Sequence, residues 1–427
     1  MSDVQDRVLL ERVQREVQAD RLVELASAVC DVHSPTGQEA EVARLLQSLM
    51  RGLGMRAELQ EVEDGRFNVI GVWEGSGGGK TLMFNGHMDT SYPFMLGGSG
   101  RSGMLDRPLP SKVVGEWLYG TGVDNMKSAF ACYLGAVEAL QRAGARLAGD
   151  IVIAGVVGEV EGSQVSQYHG SAYRGFGHGT RYLIAHGGLA DFCVIGEPSN
   201  LRLGLGNCGA VWAKITTHGP VMGSYRSSWE NSAIKRAVGV MEALQSWRTS
   251  YLARHRHPDV ELAVAISAIE GGWPWRVSRS AGHCSVYVDV RTLPEQPLFP
   301  VMRELKGLVR SLDAEDSSFR SEVDYYATIP GSEIGMEAEV VQAVRQAHKA
   351  VHGEEPGRRF SQATNDAAHF RRYGVPSLIY GPGGARMPES QEEVGECVRI
   401  DNLVRCAKVY ALTALEVCEK IPISHAE

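Results

Sequence analysis

The chain has 427 residues, 44% of them hydrophobic and 22% charged, with a formal net charge of -8. That length exceeds one ordinary domain and predicts two. The acidic balance gives no support to a nucleic-acid partner, and no apolar run is long enough to span a bilayer. Met1 to Asp20 is mixed and charged, unlike a signal peptide. Eight cysteines, scattered singly from Cys30 to Cys418, read as reduced thiols rather than as a disulfide or zinc framework. The expected setting is cytoplasmic, with neither membrane nor nucleic acid as partner.

Val4 to Val32 carries apolar residues at helical spacing, and His33-Ser-Pro-Thr-Gly-Gln-Glu39 punctuates the chain before a second helix. Strand-like runs follow at Asn68–Trp73, Thr81–Asn85 and Ile151–Val157, with a helix over Ala129–Arg142 between the last two. This alternation predicts an α/β domain with a mixed or parallel sheet. The texture changes near Gly209. Strand-like Val211–Thr217, a helix over Ser232–Trp247, strands at Val260–Ile269 and His283–Arg291 and a further helix before Asp313 form a β-α-β-β-α-β-like unit. Beyond Thr328 come a helix over Met336–His352 and a short buried strand, Pro376–Tyr380. The first domain is therefore expected to be discontinuous, residues 1–209 and 328–427, with 210–327 inserted.

Four motifs carry chemistry. Phe84-Asn-Gly-His-Met-Asp-Thr90 ends a strand in His87, with Asp89 two residues on and hence on the same face. His87 suits a metal ligand and Asp89 the group that orients its imidazole. Leu118–Ala129 is a glycine-rich turn opening a helix. Gly158-Glu-Val-Glu161 places two acids past a buried strand, where carboxylates bind metal or act as general base. Val194-Ile-Gly-Glu-Pro198 sets one acid, Glu197, after another apolar run.

The order of these motifs, with the N-terminal His33–Glu39 segment and the distal Tyr380-Gly-Pro-Gly383, resembles the zinc-dependent family of aminoacylase, acetylornithine deacetylase and succinyl-diaminopimelate desuccinylase along nearly the whole chain. The resemblance implies an α/β, mixed-sheet catalytic domain with an inserted α+β lid or dimerisation domain, a homodimer, and zinc-assisted attack of water on an amide carbonyl. It implies His87, Glu197 and an acid near Asn125 as metal ligands, Asp89 as orienter and Glu159 as general base. Asp289-Val-Arg-Thr-Leu-Pro294 looks like the segment that binds a substrate carboxylate, giving Arg291; Arg276 and Thr364 complete the candidate substrate-binding residues.

The pattern breaks at several places. The bridging aspartate falls on Asn125, with Asp124 one residue early. The ligand after the base falls on Val160, and Glu161 replaces it only through a local bulge. The late histidine falls on Glu392, with Glu389 and Glu393 close by. The lid histidine falls on Gly223, while His218 lies in the strand exit. Two readings follow: a metal-dependent amidohydrolase of a small N-acyl amino acid or dipeptide-like substrate, binding one or two zinc ions; or a non-hydrolytic enzyme on this fold, performing acyl transfer or amide condensation with a degenerate or absent metal site. A non-catalytic binding protein is the third reading, disfavoured by the survival of Glu159 and the His87/Asp89 pair.

Overall fold

The structure, a computed structural model, describes residues 2–90, 110–315, 320–385, 396–421 and 423. The chain divides into two compact units. The first comprises Met1–Leu205, Glu333–Arg359 and Asn365–Glu427; the second comprises Gly206–Ser332 and Phe360–Thr364. The divisions lie a few residues from the expected 209/210 and 327/328. The reason at the second is the ladder between Ser321–Ile329 and Gly209–His218, which continues to Ile329 opposite Ala210 and so holds residues 328 and 329 in the smaller unit.

The first unit is built on a mixed sheet. Its strands run in the order Arg56–Glu63, Arg66–Trp73, Ile151–Val156, Leu82–His87, Phe192–Ile195 and Ser377–Ile379, then on to Leu203–Asn207. Leu82–His87 is parallel to both neighbours, with His87 opposite Val156 and Asn85 opposite Ile195. It is buried along its whole length, apolar at Leu82, Met83 and Phe84 and ending in the buried polar residues Asn85 and His87. Its two faces serve different layers. Leu82 and Phe84 join the core made with the helices Ser128–Arg142 and Ile400–Ala414, while Met83 joins a core with His178–Ala185 and Ala367–Arg372. Phe84, Tyr133 and Tyr410 pack ring on ring with centroids 4.9–5.2 Å apart, and the Tyr133 hydroxyl donates to the Asn85 carbonyl at 2.7 Å. The N-terminal apolar stretch forms two helices, Ser2–Glu16 and Ala19–Cys30, broken at Val17 and Gln18.

The second unit is a four-stranded antiparallel sheet ordered Val264–Gly271, His283–Thr292, Gly209–His218 and Ser321–Ile329. The helices Ala233–Arg254 and Leu298–Glu315 share its core, which includes Ile215, Val286, Val288, Leu244 and Leu305. Ser232 caps the first of them by accepting the Lys235 N–H at 3.0 Å. All eight cysteines are buried free thiols. Among the described residues, no helix is long and apolar enough to cross a membrane.

Candidate active site

The parallel strands at the centre of the first unit bring three separated motifs to one end of the sheet. His87 ends its strand, Glu159 lies three residues past Val156, and Glu197 two residues past Ile195. The crevice at the carboxyl ends of parallel strands is where open α/β sheets place their ligands. Among the described residues, His87, Glu159 and Glu197 each offer a ligand atom within 4.8 Å of the others. His87 Nε2 stands 3.4 Å from Glu197 Oε1 and 3.8 Å from Glu159 Oε2. Asn125 completes the ring, its Oδ1 3.0 Å from the same nitrogen.

Behind the imidazole, His87 Nδ1 bonds to the main-chain carbonyl of Asp89 at 2.8 Å; the Asp89 carboxylate is farther, at 3.6 Å. That carboxylate has other work. Its Oδ1 accepts the Glu159 N–H at 3.0 Å, and its Oδ2 accepts the Val160 N–H at 3.2 Å and the Thr36 hydroxyl at 2.8 Å. Asp89 therefore orients His87 through its backbone and holds the base-bearing turn through its side chain. The segment 33–39 acts from the other side: Ser34 Oγ donates to the Met88 carbonyl at 2.8 Å and the Thr90 N–H returns to the Ser34 carbonyl at 2.9 Å.

Burial alone would lower the His87 pKa, but contact with Asp89 and the charges of Glu159 and Glu197 outweigh it and lift the imidazole well above its usual range. Glu159 is pushed well up, first by burial and then by Glu197. Glu197 is also raised by burial, against the pull of His87 and Arg359. Two acids buried together against one imidazole are the kind of grouping found where a cation binds or a proton is transferred.

The donor set fits one divalent cation: an imidazole nitrogen fixed by a bond at its other nitrogen and the Glu197 carboxylate, with the Glu159 carboxylate and the Asn125 amide oxygen beside them. Among the described residues a second cation is poorly served. Val160 stands where a second ligand is expected. Asp124 is not among the grouped ligands, its Oδ1 accepting the Gly384 N–H at 2.6 Å. The reason is Glu396, buried, whose Oε2 accepts the main-chain N–H of both Asp124 and Asn125 at 3.1 Å and so fixes the turn with Asn125 facing His87. Glu161 is part-exposed in the loop and outside the group. Glu392, with Glu389 and Glu393, lies outside the described residues.

Arg291, Arg276 and Thr364 belong to the second unit. Arg291 is paired with Asp289 at 2.9 Å, Arg276 is exposed at the end of the short turn Pro274–Arg276, and Thr364 is buried. His218 closes its strand beside Glu322. His178 opens a helix and is half-buried, and His169 is exposed.

Two residues of the site escape a sequence reading. Asp366 is 1% exposed, takes the Thr180 hydroxyl at 2.6 Å, and is lifted to about 7 by burial. Its field reaches His87, Glu159 and Glu197. Arg359, whose guanidinium donates to the Pro198 carbonyl, stands near Glu197 and Asp124. The Asp366 carboxylate in Thr364-Asn-Asp366 had no strand end to flag it, and Arg359 lies in a basic pair that reads as surface.

Comparison with known proteins gives the family. The model of "Peptidase family M20/M25/M40" matches residues 83–416. An N-formyl-4-amino-5-aminomethyl-2-methylpyrimidine deformylase of Halalkalibacterium halodurans is 22% identical, covering 90% of each chain. An acetylornithine deacetylase of Vibrio campbellii is 26% identical over 83% of this chain and 86% of its own. A dinuclear metal binding peptidase of Bacillus subtilis has the same fold, with a TM-score of 0.65 at 15% identity over 94% of this chain and 98% of the other. With His87, Glu159 and Glu197 gathered at the ends of three parallel strands and the family match running through all three, this chain belongs to peptidase family M20/M25/M40.

Proposed function

We propose that the protein hydrolyses the amide of a small N-acyl amino acid, N-acyl amine or dipeptide-like substrate, with one zinc ion held by His87 and Glu197. The observation that carries this reading is the buried Glu159 carboxylate 3.8 Å from His87 Nε2, beside the Glu197 carboxylate 3.4 Å from the same nitrogen. Zinc in such a site supplies Lewis-acid polarisation of the scissile carbonyl. Glu159 takes the proton of the attacking water and delivers it to the leaving nitrogen. Asp89 keeps His87 oriented and the Glu159 turn in place. The relatives named as a deformylase and a deacetylase support an N-acyl substrate.

For the substrate carboxylate we assign Arg291 first, with Arg276 and Thr364 as further contacts. Pairing of two chains as a homodimer and a cytoplasmic setting belong to the same proposal; the eight buried free thiols support the latter. Turnover of N-acetyl-L-ornithine and of an N-formyl aminomethylpyrimidine by zinc-supplemented protein tests the reading. Hydrolysis of either, reduced at least a hundredfold in Glu159→Gln, is expected, since a general base contributes about 10²–10⁴-fold.

One observation favours a second reading. Val160 and Asn125 replace the two carboxylates that a paired-metal hydrolase would present, so acyl transfer or amide condensation in the same pocket is the alternative. It predicts amide formation from an acyl donor and an amine, with no hydrolysis of either substrate.

A further inference from the structure

The turn that carries Glu159 is held by three successive main-chain N–H groups, shared between two carboxylates. Asp89 takes those of Glu159 and Val160. The Gly158 N–H goes to Glu39 Oε1 at 3.2 Å. Glu39 is fully buried, and a buried carboxylate needs a partner. Arg66 supplies it in a two-pronged pair: Nε donates to Glu39 Oε2 at 2.9 Å and Nη2 to Oε1 at 2.5 Å. Arg66 is itself only 1% exposed. Its remaining nitrogen, Nη1, donates to Glu63 Oε1 at 2.5 Å and to the carbonyls of Ser171 and Arg174 at 3.2 and 3.4 Å.

One guanidinium thus joins the start of the helix Ala40–Gly52, the hairpin between the first two strands, the far side of the 158–174 loop and, through Glu39, the residue before Glu159. The packing is direct. Gly158 has φ +63, and a Cβ there would meet the Arg174 carbonyl oxygen at 2.4 Å and Arg66 Nη2 at 2.8 Å. A buried ion pair of this kind is a poor source of stability, because well-packed apolar residues often serve as well or better. What apolar residues would lack is an acceptor for the Gly158 N–H and donors for two carbonyls of the same loop.

We propose that Arg66 is a positioning residue for Glu159: acting through Glu39 and the Gly158 N–H, it fixes where the Glu159 carboxylate stands beside His87 and Glu197. The inference rests on the reading of Glu159 as the general base. Arg66 touches no reacting atom, so its effect passes through the turn, and a displacement of about 1 Å in a reacting group costs about 100-fold in rate.

The test combines Arg66→Met with Glu39→Gln, a nearly isosteric second variant that survives if the first fails to fold. Each is made alone and in a Glu159→Gln background, in zinc-supplemented full-length protein, on the two N-acyl substrates named above. Expected is a kcat lowered about 10- to 100-fold, with KM and zinc content held within about two-fold, and no further loss in the Glu159→Gln background. An unchanged kcat, or the same loss with and without Glu159, overturns the positioning role. Full activity of Glu159→Gln itself overturns the general-base reading instead. Hydrogen exchange supplies a substrate-independent arm: faster exchange confined to the amides of residues 158–160 supports the proposal, whereas no change, or acceleration spread over the whole unit, overturns it.

Discussion

Replacing Asp89 by asparagine changes one oxygen to an amide and leaves the volume alone, yet the structure makes it a severe substitution. Asp89 is fully buried, and both its oxygens accept from fixed donors: Oδ1 from the Glu159 N–H, Oδ2 from the Val160 N–H and the Thr36 hydroxyl. Thr36 can rotate its hydroxyl and adapt. The two main-chain N–H groups cannot. Whichever way the amide is flipped, its NH₂ faces one of them at about 3 Å and leaves it unsatisfied, a cost of about 1–3 kcal/mol. The bonds that remain lose their charge assistance, which adds about 0.5–1.5 kcal/mol each. Relief of repulsion from the neighbouring acids Glu159 and Glu197 offsets part of this. The net expectation is a loss of roughly 2–4 kcal/mol in the metal-free protein. Urea unfolding in the presence of a chelator, followed by aromatic circular dichroism, reads it as a shift in midpoint at constant slope. A loss below about 1 kcal/mol would refute the claim that the carboxylate is held by three donors that an amide cannot all satisfy.

Three other outcomes follow from the same geometry. Asn125→Asp combined with Val160→Glu returns two carboxylates to the cluster and is expected to raise bound zinc from about one to about two per chain, read by elemental analysis; an unchanged content would show that the second site is closed for another reason. His348 is 4% exposed, bonds to the Tyr380 hydroxyl at 2.7 Å, and is lowered to about 4 by burial. The unfolded chain therefore takes up the proton first, so stability falls as pH drops from about 6.5 toward 4; His348→Gln should flatten that part of the stability profile, and an identical slope would contradict the assignment. Gly177 sits at φ +70, and a Cβ would meet His369 Nε2 at 2.5 Å and Asp366 Oδ1 at 2.6 Å; Gly177→Ala should cost at least about 1 kcal/mol in urea unfolding, and a neutral result would refute the tight approach of this loop to Asp366.

What was legible in the sequence follows from what a linear pattern encodes. The strands that place His87, Glu159 and Glu197 are short apolar runs, and each functional side chain sits within three residues of a strand end. Parallel pairing then brings them together without any local signal of that pairing. The break of the N-terminal stretch at Val17 and Gln18 left no mark, because apolar spacing persists across it. Glu39 reads as the acid that opens a helix, as at many helix N-termini. Its bond to Arg66, 27 residues away, is a tertiary fact that periodicity does not carry. The same holds for Glu396, whose grip on the turn decides that Asn125 rather than Asp124 faces His87. Asp89 shows a subtler limit. Spacing suggests a shared strand face with His87, but the strand ends at His87, and the Asp89 backbone and carboxylate divide the orienting and turn-holding roles in a way that only coordinates show.

The central claim is that His87, Glu197 and the adjoining Glu159 form a one-cation centre, and metal content tests it most directly. Elemental analysis of the purified, zinc-supplemented protein should find about one zinc per chain, with the metal lost in His87→Ala. No bound metal after zinc is supplied, or metal retained undiminished by His87→Ala, would contradict the account.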